Sequence, residues 1–462
     1  MTKADGSFWT YGPSYGRLLV GLSLAVAAPV ARAQPVAVPL ARQVEVAADG
    51  TIDYQVRKGE HLYGLARLYF TRQGDFALVQ RLNRIADPYR IPTGTRLRIP
   101  VRLLRAEPLD AKVQAFRGQV GIRAGAGSAA GTPTVGMAVR PGAIIETGPD
   151  GFVGLTLSNG SQLSIPTRSR VRLLAMRRIL LTGGVDFDIA VDEGKFETQA
   201  TPLVPGSGQF RLRTPRAVSA IRGTVLRVGY GADAGQSLTE VLDGSVAVQG
   251  AGSGKPALVP KGQGAVVAAS GAVRTEALLP APDLADPAQV LIDPVAAFTV
   301  RPLPGARAYH VQVAADAGFG DVVAEATAEG TVVALPALGN GRWFARVSAI
   351  AASGLEGESQ VYSIRRVLTG LNAAAEQEAD RLKFKWAGAG EGRRVYHFQM
   401  ARGDAKARPM VDEPGLTAQE LTLSGMADGV YVWRVGVRQY ADGEMVENWL
   451  PFQKLTVAGT GR

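Results

Sequence analysis

The chain has 462 residues, enough for about three or four domains of ordinary size, and its 46% hydrophobic and 20% charged residues exclude a wholly disordered protein. It contains no cysteine, which excludes disulfides, thiolate metal sites and cysteine nucleophiles. The formal net charge is +10, and residues 51–105 alone hold eleven Lys or Arg against four Asp or Glu.

The first 33 residues have the pattern of a secretory signal. Lys3 and Arg17 precede an apolar run of about 13 residues, and Ala31-Arg32-Ala33 fits the small-x-small rule for cleavage. The run is too short to span a bilayer, so we expect no stable membrane insertion after cleavage; a retained anchor is the alternative. We predict a signal peptide over 1–33, an Ala/Val/Pro-rich linker over 34–50, and a periplasmic or secreted protein of a Gram-negative-type envelope.

Residues 51–101 are predicted to form one small module in the order strand, helix, helix, strand. Alternation of apolar and polar residues predicts the first strand over Thr51 to Val56 and the last over Thr95 to Ile99. Apolar residues that recur at i, i+3, i+4 and i+7 from Leu62 predict an amphipathic helix between them. A second helix is predicted with Asp75 as its N-cap, with Phe76, Val79 and Leu82 facing inward, and with Asn83 at its C-terminus.

The motifs of this module resemble those of the LysM domain. They are Tyr54-Gln-Val56, Gly59-Glu60-His61-Leu62, Leu65-Ala66-Arg-Leu-Tyr69, Asn83, Pro88-Tyr-Arg-Ile91-Pro-Thr-Gly94 and Leu97-Arg-Ile99-Pro100. The family pattern has Asp and Thr where this chain has Glu60 and His61. The resemblance implies a βααβ fold that binds N-acetylglucosamine polymers, which in bacteria means peptidoglycan.

In that family the sugar lies between the first turn and the loop before the last strand. By position, the resemblance implies a glycan-binding site made of Gly59, Glu60, His61, Leu62, Pro88, Tyr89, Arg90 and Ile91. Sugar contacts would come from backbone groups of these loops, with Tyr89 or His61 as stacking surfaces.

The basic residues of the module have two interpretations. Arg57, Lys58 and Arg90 would add salt-sensitive attraction to peptidoglycan carboxylates or lipid phosphates, or they belong to a solvated basic face. Nucleic acid is not an expected partner, because no strand combines aromatic and basic residues in the required pattern.

Residues 111–275 are predicted to form an all-β domain, because short alternating strands are separated by glycine-containing turns. Asn159-Gly160, between two such strands, is a strong hairpin signal. Four segments resemble the FecR domain: Gly142-Ala-Ile-Ile-Glu-Thr147-Gly148, Leu155-Thr-Leu-Ser-Asn-Gly160-Ser161, Phe210 to Thr224, and Asp243-Gly-Ser-Val246. The resemblance implies an envelope protein. The namesake of the family relays a signal to a sigma factor through a cytoplasmic segment and a membrane helix, and neither is recognised in this sequence.

Two charged patterns in this domain have alternative interpretations. Arg168, Arg170 and Arg172 alternate and are predicted to share one strand face, either as a polyanion-binding stripe or as a solvated face. Asp186 and Asp188 also alternate, and they would be either calcium ligands or exposed strand carboxylates.

Beyond a Pro/Ala/Asp-rich linker over 276–289 the chain repeats itself at an offset of about 87 residues. Ala308 to Ala314 is similar to Val395 to Ala401, and each segment alternates aromatic and polar residues. We predict two β-sandwich modules, over 290–367 and 370–458, that resemble fibronectin type III domains. His310 and His397 hold equivalent positions, which indicates either a paired metal site or simply a repeated position of the fold.

Catalytic motifs are lacking. The three histidines lie in two kinds of domain, and the sequence has no Gly-x-Ser-x-Gly, His-Glu-x-x-His or phosphate-binding loop motif. We therefore predict a mainly β, multidomain, non-catalytic envelope protein without cofactor or metal. It would bind peptidoglycan through the first module and present its β-domains to an envelope protein partner. The alternative is a FecR-type component that senses or relays an envelope signal.

Overall fold

The computed structural model of the chain describes residues 50–231, 234–251, 255–335, 337–378, 381–441 and 443–458. The predicted signal peptide and residues 34–49 of the predicted linker lie outside these ranges. The described part is mainly β, with a small helical region at its N-terminal end, as the sequence predicts. None of its helices combines the length and the apolar character that crossing a membrane requires.

The N-terminal module has the predicted order of elements. It comprises β1 (Thr51–Gln55), α1 (Leu62–Tyr69), α2 (Phe76–Leu82) and β2 (Arg96–Pro100), with short 3₁₀ turns at Gln73–Asp75 and Val101–Leu103. The two strands pair antiparallel, and their alternation turns Ile52 and Tyr54 of β1 and Leu97 and Ile99 of β2 into one core. Leu62, Leu65 and Ala66 of α1 complete that core, which confirms the apolar stripe of this helix.

Two details of the second helix differ from the prediction. Asp75 makes no capping hydrogen bond with its side chain, because the preceding 3₁₀ turn already holds it in a helical conformation. Leu82 is 41% exposed, and only Val79 of this helix is fully buried. Asn83 does end the helix: its side chain bonds the carbonyl of Val79 and both backbone groups of Arg98, and so joins α2 to β2.

The β-domain follows, and its strands form two sheets, joined through the strand Val185–Gln199, around one core. Its strands are β3 (Ala106–Pro108), β4 (Ala111–Arg117), β5 (Val120–Arg123), β6 (Ala138–Val139), β7 (Ile144–Thr147), β8 (Phe152–Thr156), β9 (Gln162–Ile165), β10 (Arg170–Ile179), β11 (Val185–Gln199), β12 (Gln209–Arg213), β13 (Ala217–Ile221), β14 (Val225–Gly231), β15 (Gln236–Asp243), β16 (Ser245–Gly250), β17 (Ala257–Pro260), β18 (Gln263–Val267) and β19 (Val273–Ala277). The predicted hairpin at Asn159-Gly160 joins β8 and β9, and Gly160 has a φ of +85°.

Strand β11 belongs to both sheets. Its first half pairs with β10 and, in parallel, with β12, whereas its second half pairs with β9 and β14. The change of sheet occurs at Gly194, whose φ of +76° is a left-handed conformation that other residues resist.

The three alternating arginines of the β-domain do not form a single stripe. Arg168 lies in the turn before β10 with a φ of +52°, so it does not share a strand face with Arg170 and Arg172. Arg170 pairs with Glu146 and Arg172 with Asp192, each on a neighbouring strand.

Asp186 and Asp188, predicted as calcium ligands or exposed carboxylates, are buried. Asp186 pairs with Arg177 at 2.7 Å and accepts a hydrogen bond from Gln209, and Asp188 pairs with Arg213 at 2.7 Å. Both predictions about these residues were wrong, because arginines of β10 and β12 cover that face.

The first sandwich comprises β20 (Val290–Leu291), β21 (Ala296–Thr299), β22 (Ala306–Ala314), β23 (Val322–Ala328), β24 (Val332–Leu335), β25 (Gly341–Ala351) and β26 (Glu356–Arg366). One sheet has the order β20-β26-β25-β22-β23, and β21 and β24 form the other.

The second sandwich comprises β27 (Asn372–Glu378), β28 (Arg381–Ala387), β29 (Arg393–Arg402), β30 (Val411–Leu416), β31 (Glu420–Ser424), β32 (Gly429–Ala441), β33 (Glu444–Trp449) and β34 (Gln453–Val457). One sheet is β27-β28-β31, and the other has the order β30-β29-β32-β33 with β34 also on β32. The repeated sequence segments are the central strand pairs, β22 with β25 and β29 with β32.

Consecutive parts of the chain pack on one another. Ile179 and Leu181 of the β-domain belong to the core of the N-terminal module. Phe152 of the β-domain packs against Phe319 of the first sandwich. The stretch predicted as a linker over 276–289 is held against both bodies, because the N–H of Leu278 donates to Gly262 and the carbonyl of Leu279 accepts from Glu358. The predicted domain boundaries themselves stay a prediction.

Candidate functional site

The first turn of the N-terminal module is shaped by Glu60. Its carboxylate accepts the backbone N–H of Arg57 at 2.9 Å and the hydroxyl of Tyr54 at 2.7 and 2.8 Å. Burial and the Glu60 carboxylate raise the pKa of Tyr54 to about 12, so Tyr54 stays a donor. Gly59 permits the turn with a φ of +83°. Glu60, which stands where the LysM pattern has Asp, therefore fixes the turn to β1.

His61 replaces the Thr of the LysM pattern and takes over a structural role. It stands at the N-cap of α1 in an extended conformation, and its Nδ1 accepts the N–H of Gly64 at 3.1 Å. This is the hydrogen bond that a Thr hydroxyl makes at an N-cap. The first helical turn is thus capped without a hydroxyl.

The second loop is brought against the first. The N–H of Tyr63 donates to the carbonyl of Pro88 at 3.3 Å, which ties the start of α1 to the loop before β2. Asp87 shapes this loop, because its carboxylate accepts the N–H of Tyr89 at 2.8 Å. The two loops singled out in the sequence therefore lie side by side.

An aromatic surface forms where the loops meet. The Tyr89 ring is 57% exposed, and its centroid lies 6.0 Å from that of His61 and 5.1 Å from that of Tyr63. Tyr63 is supported from below by Phe76, edge to face at 5.6 Å. Such a surface can stack on the apolar face of a sugar ring while its hydroxyls reach solvent.

The other predicted site residues take different positions around this surface. Gly59 and Arg90 are exposed, and Glu60, Pro88 and Ile91 are half-buried. The Leu62 side chain is fully buried in the core, so only its backbone can face a ligand. Among the described residues the N–H of Leu62 has no acceptor, whereas those of Tyr63 and Gly64 are satisfied.

Tyr63 is the residue that the sequence reasoning missed. It follows Leu62, a core position, and lies off the apolar stripe of α1. An aromatic residue at a helix position that the core does not require was the available signal.

A separate cleft lies between the N-terminal module and the β-domain. It has a volume of about 420 Å³ and is lined by Gln55, Arg57 and Thr93 on one side and by Pro205 and Ser207 on the other. It contains none of the aromatic residues of the two loops. We therefore place the candidate site at the loops and not in this cleft.

The described residues hold no group of three or more His, Asp or Glu that could bind a metal ion. His310 contacts Glu356 and Glu325 within the first sandwich. His397 contacts Asp412 within the second. The two histidines occupy equivalent strands, which agrees with a repeated position of the fold.

Two segments match known families. Residues 54–100 match the LysM domain and residues 143–247 match the FecR protein family. Both are non-catalytic families typical of envelope proteins, and LysM domains bind N-acetylglucosamine glycans such as peptidoglycan. No curated protein matches the chain.

Among solved structures, the chain is similar to two crystal structures of a candidate anti-sigma factor from Parabacteroides distasonis ATCC 8503. Each is 16% identical over 29% of this chain and 59% of that chain, with TM-scores of 0.25 and 0.24. The FN1-FN3 domains of chicken CNTN1 are 10% identical over 48% of this chain and 97% of theirs, with a TM-score of 0.19. The chain thus spans 59% of the length of the anti-sigma factor structures.

Proposed function

We propose that the chain is a non-catalytic envelope protein that binds peptidoglycan, or another N-acetylglucosamine glycan, through its N-terminal module. Its β-domain and sandwiches would present surfaces to an envelope protein partner. The observation that supports this most is the exposed Tyr89 ring, set beside His61 and Tyr63 where the two loops meet.

The proposed contacts follow from the chemistry of these groups. The Tyr89 face stacks on a pyranose ring, and the N–H of Leu62 donates to a sugar or acetamido oxygen. Arg57, Lys58 and Arg90 are exposed beside the loops and attract the carboxylates of peptidoglycan stem peptides. This attraction is screened by salt, whereas stacking is not.

Co-sedimentation with insoluble peptidoglycan at low and high salt tests the proposal. The Tyr89→Ala variant is expected to lose about three- to tenfold in affinity at both salt concentrations, since an aromatic contact contributes ~0.5–1.5 kcal/mol beyond the area that it buries. Tyr440→Ala is the matched control, because Tyr440 is also exposed but lies in the second sandwich. Deleting the whole module is a poorer test, since Ile179 and Leu181 would lose their cover.

The outcomes distinguish binding by the aromatic surface of the two loops from binding by the basic residues. If Tyr89→Ala loses affinity for peptidoglycan at high salt and Tyr440→Ala does not, the result supports glycan binding by the aromatic surface. If binding is lost at high salt and is unchanged by Tyr89→Ala, the basic residues are responsible and glycan binding by the aromatic surface is rejected.

The match of 143–247 to the FecR family supports a second candidate function. In it, the β-domain relays an envelope state and the N-terminal module only positions the protein. A chromosomal Tyr89→Ala strain and a full deletion strain would then share a transcriptional change. If neither strain alters transcription, the relay function is rejected.

A further inference from the structure

The first sandwich carries a hydrogen-bonded set of four side chains on one sheet face. Gln312 of β22 lies directly opposite Glu325 of β23 and Arg346 of β25. Its amide donates to Glu325 at 2.9 Å and accepts from Nε of Arg346 at 3.1 Å. His310, two residues before Gln312, faces Glu325 at 3.5 Å.

The second sandwich repeats this set in the same register. Gln399 of β29 lies directly opposite Asp412 of β30 and Arg434 of β32. Its amide donates to Asp412 at 3.1 Å and accepts from Nε of Arg434 at 2.8 Å. His397 contacts Asp412 at 2.5 Å. The two faces are therefore equivalent in sequence, register and hydrogen bonding.

In the first sandwich the β-domain covers this face. The two terminal nitrogens of Arg346 bond both carboxylate oxygens of Glu197, each at 2.8 Å. Glu325 accepts the backbone N–H of Thr167 at 2.9 Å. The acid and the arginine of the set thus each find a partner on the covering surface, and both side chains are nearly buried.

In the second sandwich, the described residues place no neighbouring domain over the equivalent groups. The Arg434 guanidinium lies 4.3 Å from the Trp449 ring centre and 4.4 Å from that of Phe452. Throughout the described residues its terminal nitrogens have no hydrogen-bond acceptor, and the Asp412 side chain is 52% exposed. Contact with both rings restricts the orientation of the guanidinium fork, which favours bidentate binding of a carboxylate.

We propose that this face of the second sandwich, defined by Gln399, Asp412, Arg434, Trp449 and Phe452, pairs with the same face of a second copy of the chain. A partner surface for this face must supply a carboxylate that pairs with Arg434 and a hydrogen-bond donor for Asp412. The face's own residues supply both, so the face complements itself.

The register makes the pairing geometrically direct. Arg434, Gln399 and Asp412 stand side by side on three neighbouring strands, about 4.8 Å apart. A twofold axis parallel to the strands above Gln399 brings Arg434 of each copy opposite Asp412 of the other. Two identical ion pairs result, as in other isologous dimers, and the half-buried Trp449 and Phe452 are covered.

Sedimentation velocity of the full chain over a concentration series tests the proposal. The wild type is expected to dimerise, and Arg434→Asp or Asp412→Arg alone raises the dimer dissociation constant at least about tenfold, because like charges then face each other twice. The double variant Arg434→Asp, Asp412→Arg restores the dimer. Lys385→Glu, on the opposite sheet of the same sandwich, is the control and leaves dimerisation unchanged.

Near-UV circular dichroism and thermal unfolding confirm that each variant is folded. Recovery in the double variant cannot come from unfolding, so it would identify the reciprocal pairs. A wild type that stays monomeric, or a dimer that the single charge reversals do not weaken, overturns the proposal and leaves this face to another occupant.

Discussion

At the scale of single residues, His61 shows how a departure from a family pattern can keep its structural role. Its Nδ1 occupies the place of the usual hydroxyl and accepts the N–H of Gly64. The cap needs an unprotonated Nδ1, because a protonated nitrogen is no longer an acceptor. The ring also extends the aromatic surface beside Tyr89, which a threonine could not do.

We expect His61→Ala to weaken the first turn of α1, since loss of an N-cap typically costs about 1 kcal/mol. His61→Thr should retain the cap and lose only the aromatic contact. Hydrogen exchange of the α1 amides in the full chain measures this. About fivefold faster exchange is expected in His61→Ala and near wild-type exchange in His61→Thr. Equal exchange in all three proteins would show that the cap contributes nothing to the helix.

At the scale of elements, the two sandwiches differ beside the four-residue set, on the strand that carries its arginine. Gly436 of β32 lies where the first sandwich has Ser348, opposite Trp449 instead of Ser359. A Cβ at Gly436 would stand 2.5 Å from the Trp449 ring, closer than such atoms approach. The glycine therefore makes room for the ring that lies over Arg434.

We expect Gly436→Ala to displace Trp449 from Arg434 and to destabilise the second sandwich by about 1–3 kcal/mol, the usual cost of overpacking. Thermal unfolding and the near-UV signal of tryptophan measure this. Gly339→Ala is the control, because no atom lies within 4 Å of its added Cβ. If Gly436→Ala unfolds at the wild-type temperature with the same near-UV signal, the ring does not depend on this glycine.

At the scale of the whole molecule, a buried ionic network joins the β-domain to the first sandwich. Glu356 is its centre, with Lys195 at 2.6 Å, Arg227 at 2.7 Å and His310 at 3.0 Å. Burial disfavours the charge on Glu356, but Arg227, Lys195 and His310 outweigh it and hold the pKa of Glu356 well below its usual range. The interface therefore depends on charges that are all paired.

Glu356→Gln would leave those cations without their common partner. We expect a loss of about 3–5 kcal/mol in the free energy of unfolding, the usual result of breaking a buried ion pair. Urea unfolding measures it, together with faster proteolysis near 278–289, the stretch held between the two bodies. Glu358→Gln is the control, because Glu358 is exposed nearby. Equal midpoints for Glu356→Gln and the wild type would mean that the network does not hold the bodies together.

The same interface is expected to weaken as pH rises above about 4.5. Burial raises the pKa of Glu240 to about 7, so the folded state keeps a proton that the unfolded chain releases above about 4.5. That part of the stability is lost as pH rises from 4.5 to 7. Burial lowers the pKa of His310, but Glu356 and Glu325 outweigh it and raise the pKa. The stability that His310 contributes is fully present below pH 6.5, the pKa of the unfolded chain. It is lost as pH rises through the higher pKa of His310 in the folded state.

Acid acts in the opposite direction. Burial raises the pKa of Glu325, but its hydrogen bond with His310 and the charge of that ring lower it to about 2. The stability that Glu325 contributes is therefore present above 4.5 and is lost as pH falls toward 2. We expect the urea midpoint to be highest near pH 4.5, where Glu325 is ionised and Glu240 still keeps its proton in the folded state.

The midpoint should fall by pH 8, and Glu240→Gln should fall less, since glutamine cannot ionise beside Lys195 and Arg227. Urea unfolding of both proteins at about pH 5 and pH 8 measures the difference. Identical midpoint changes for the two proteins would exclude Glu240 as a source of the pH dependence.

Local sequence patterns predict the elements and their order. Apolar periodicity placed α1, β1 and β2, the Asn-Gly pair placed the β8–β9 hairpin, and the 87-residue repeat placed the central strands of both sandwiches. These features depend on neighbours in the chain, whose geometry is set by the local period of the helix or strand.

What covers each face depends on long-range packing, which local patterns do not contain. Alternation put Asp186 and Asp188 on one face but could not show that arginines from β10 and β12 lie over it. Nor could it show that Arg346 pairs with Glu197, 149 residues away, while the terminal nitrogens of the equivalent Arg434 have no acceptor among the described residues. A side chain's direction follows from its own strand, whereas its partner follows from long-range packing, and the function proposed here depends on both.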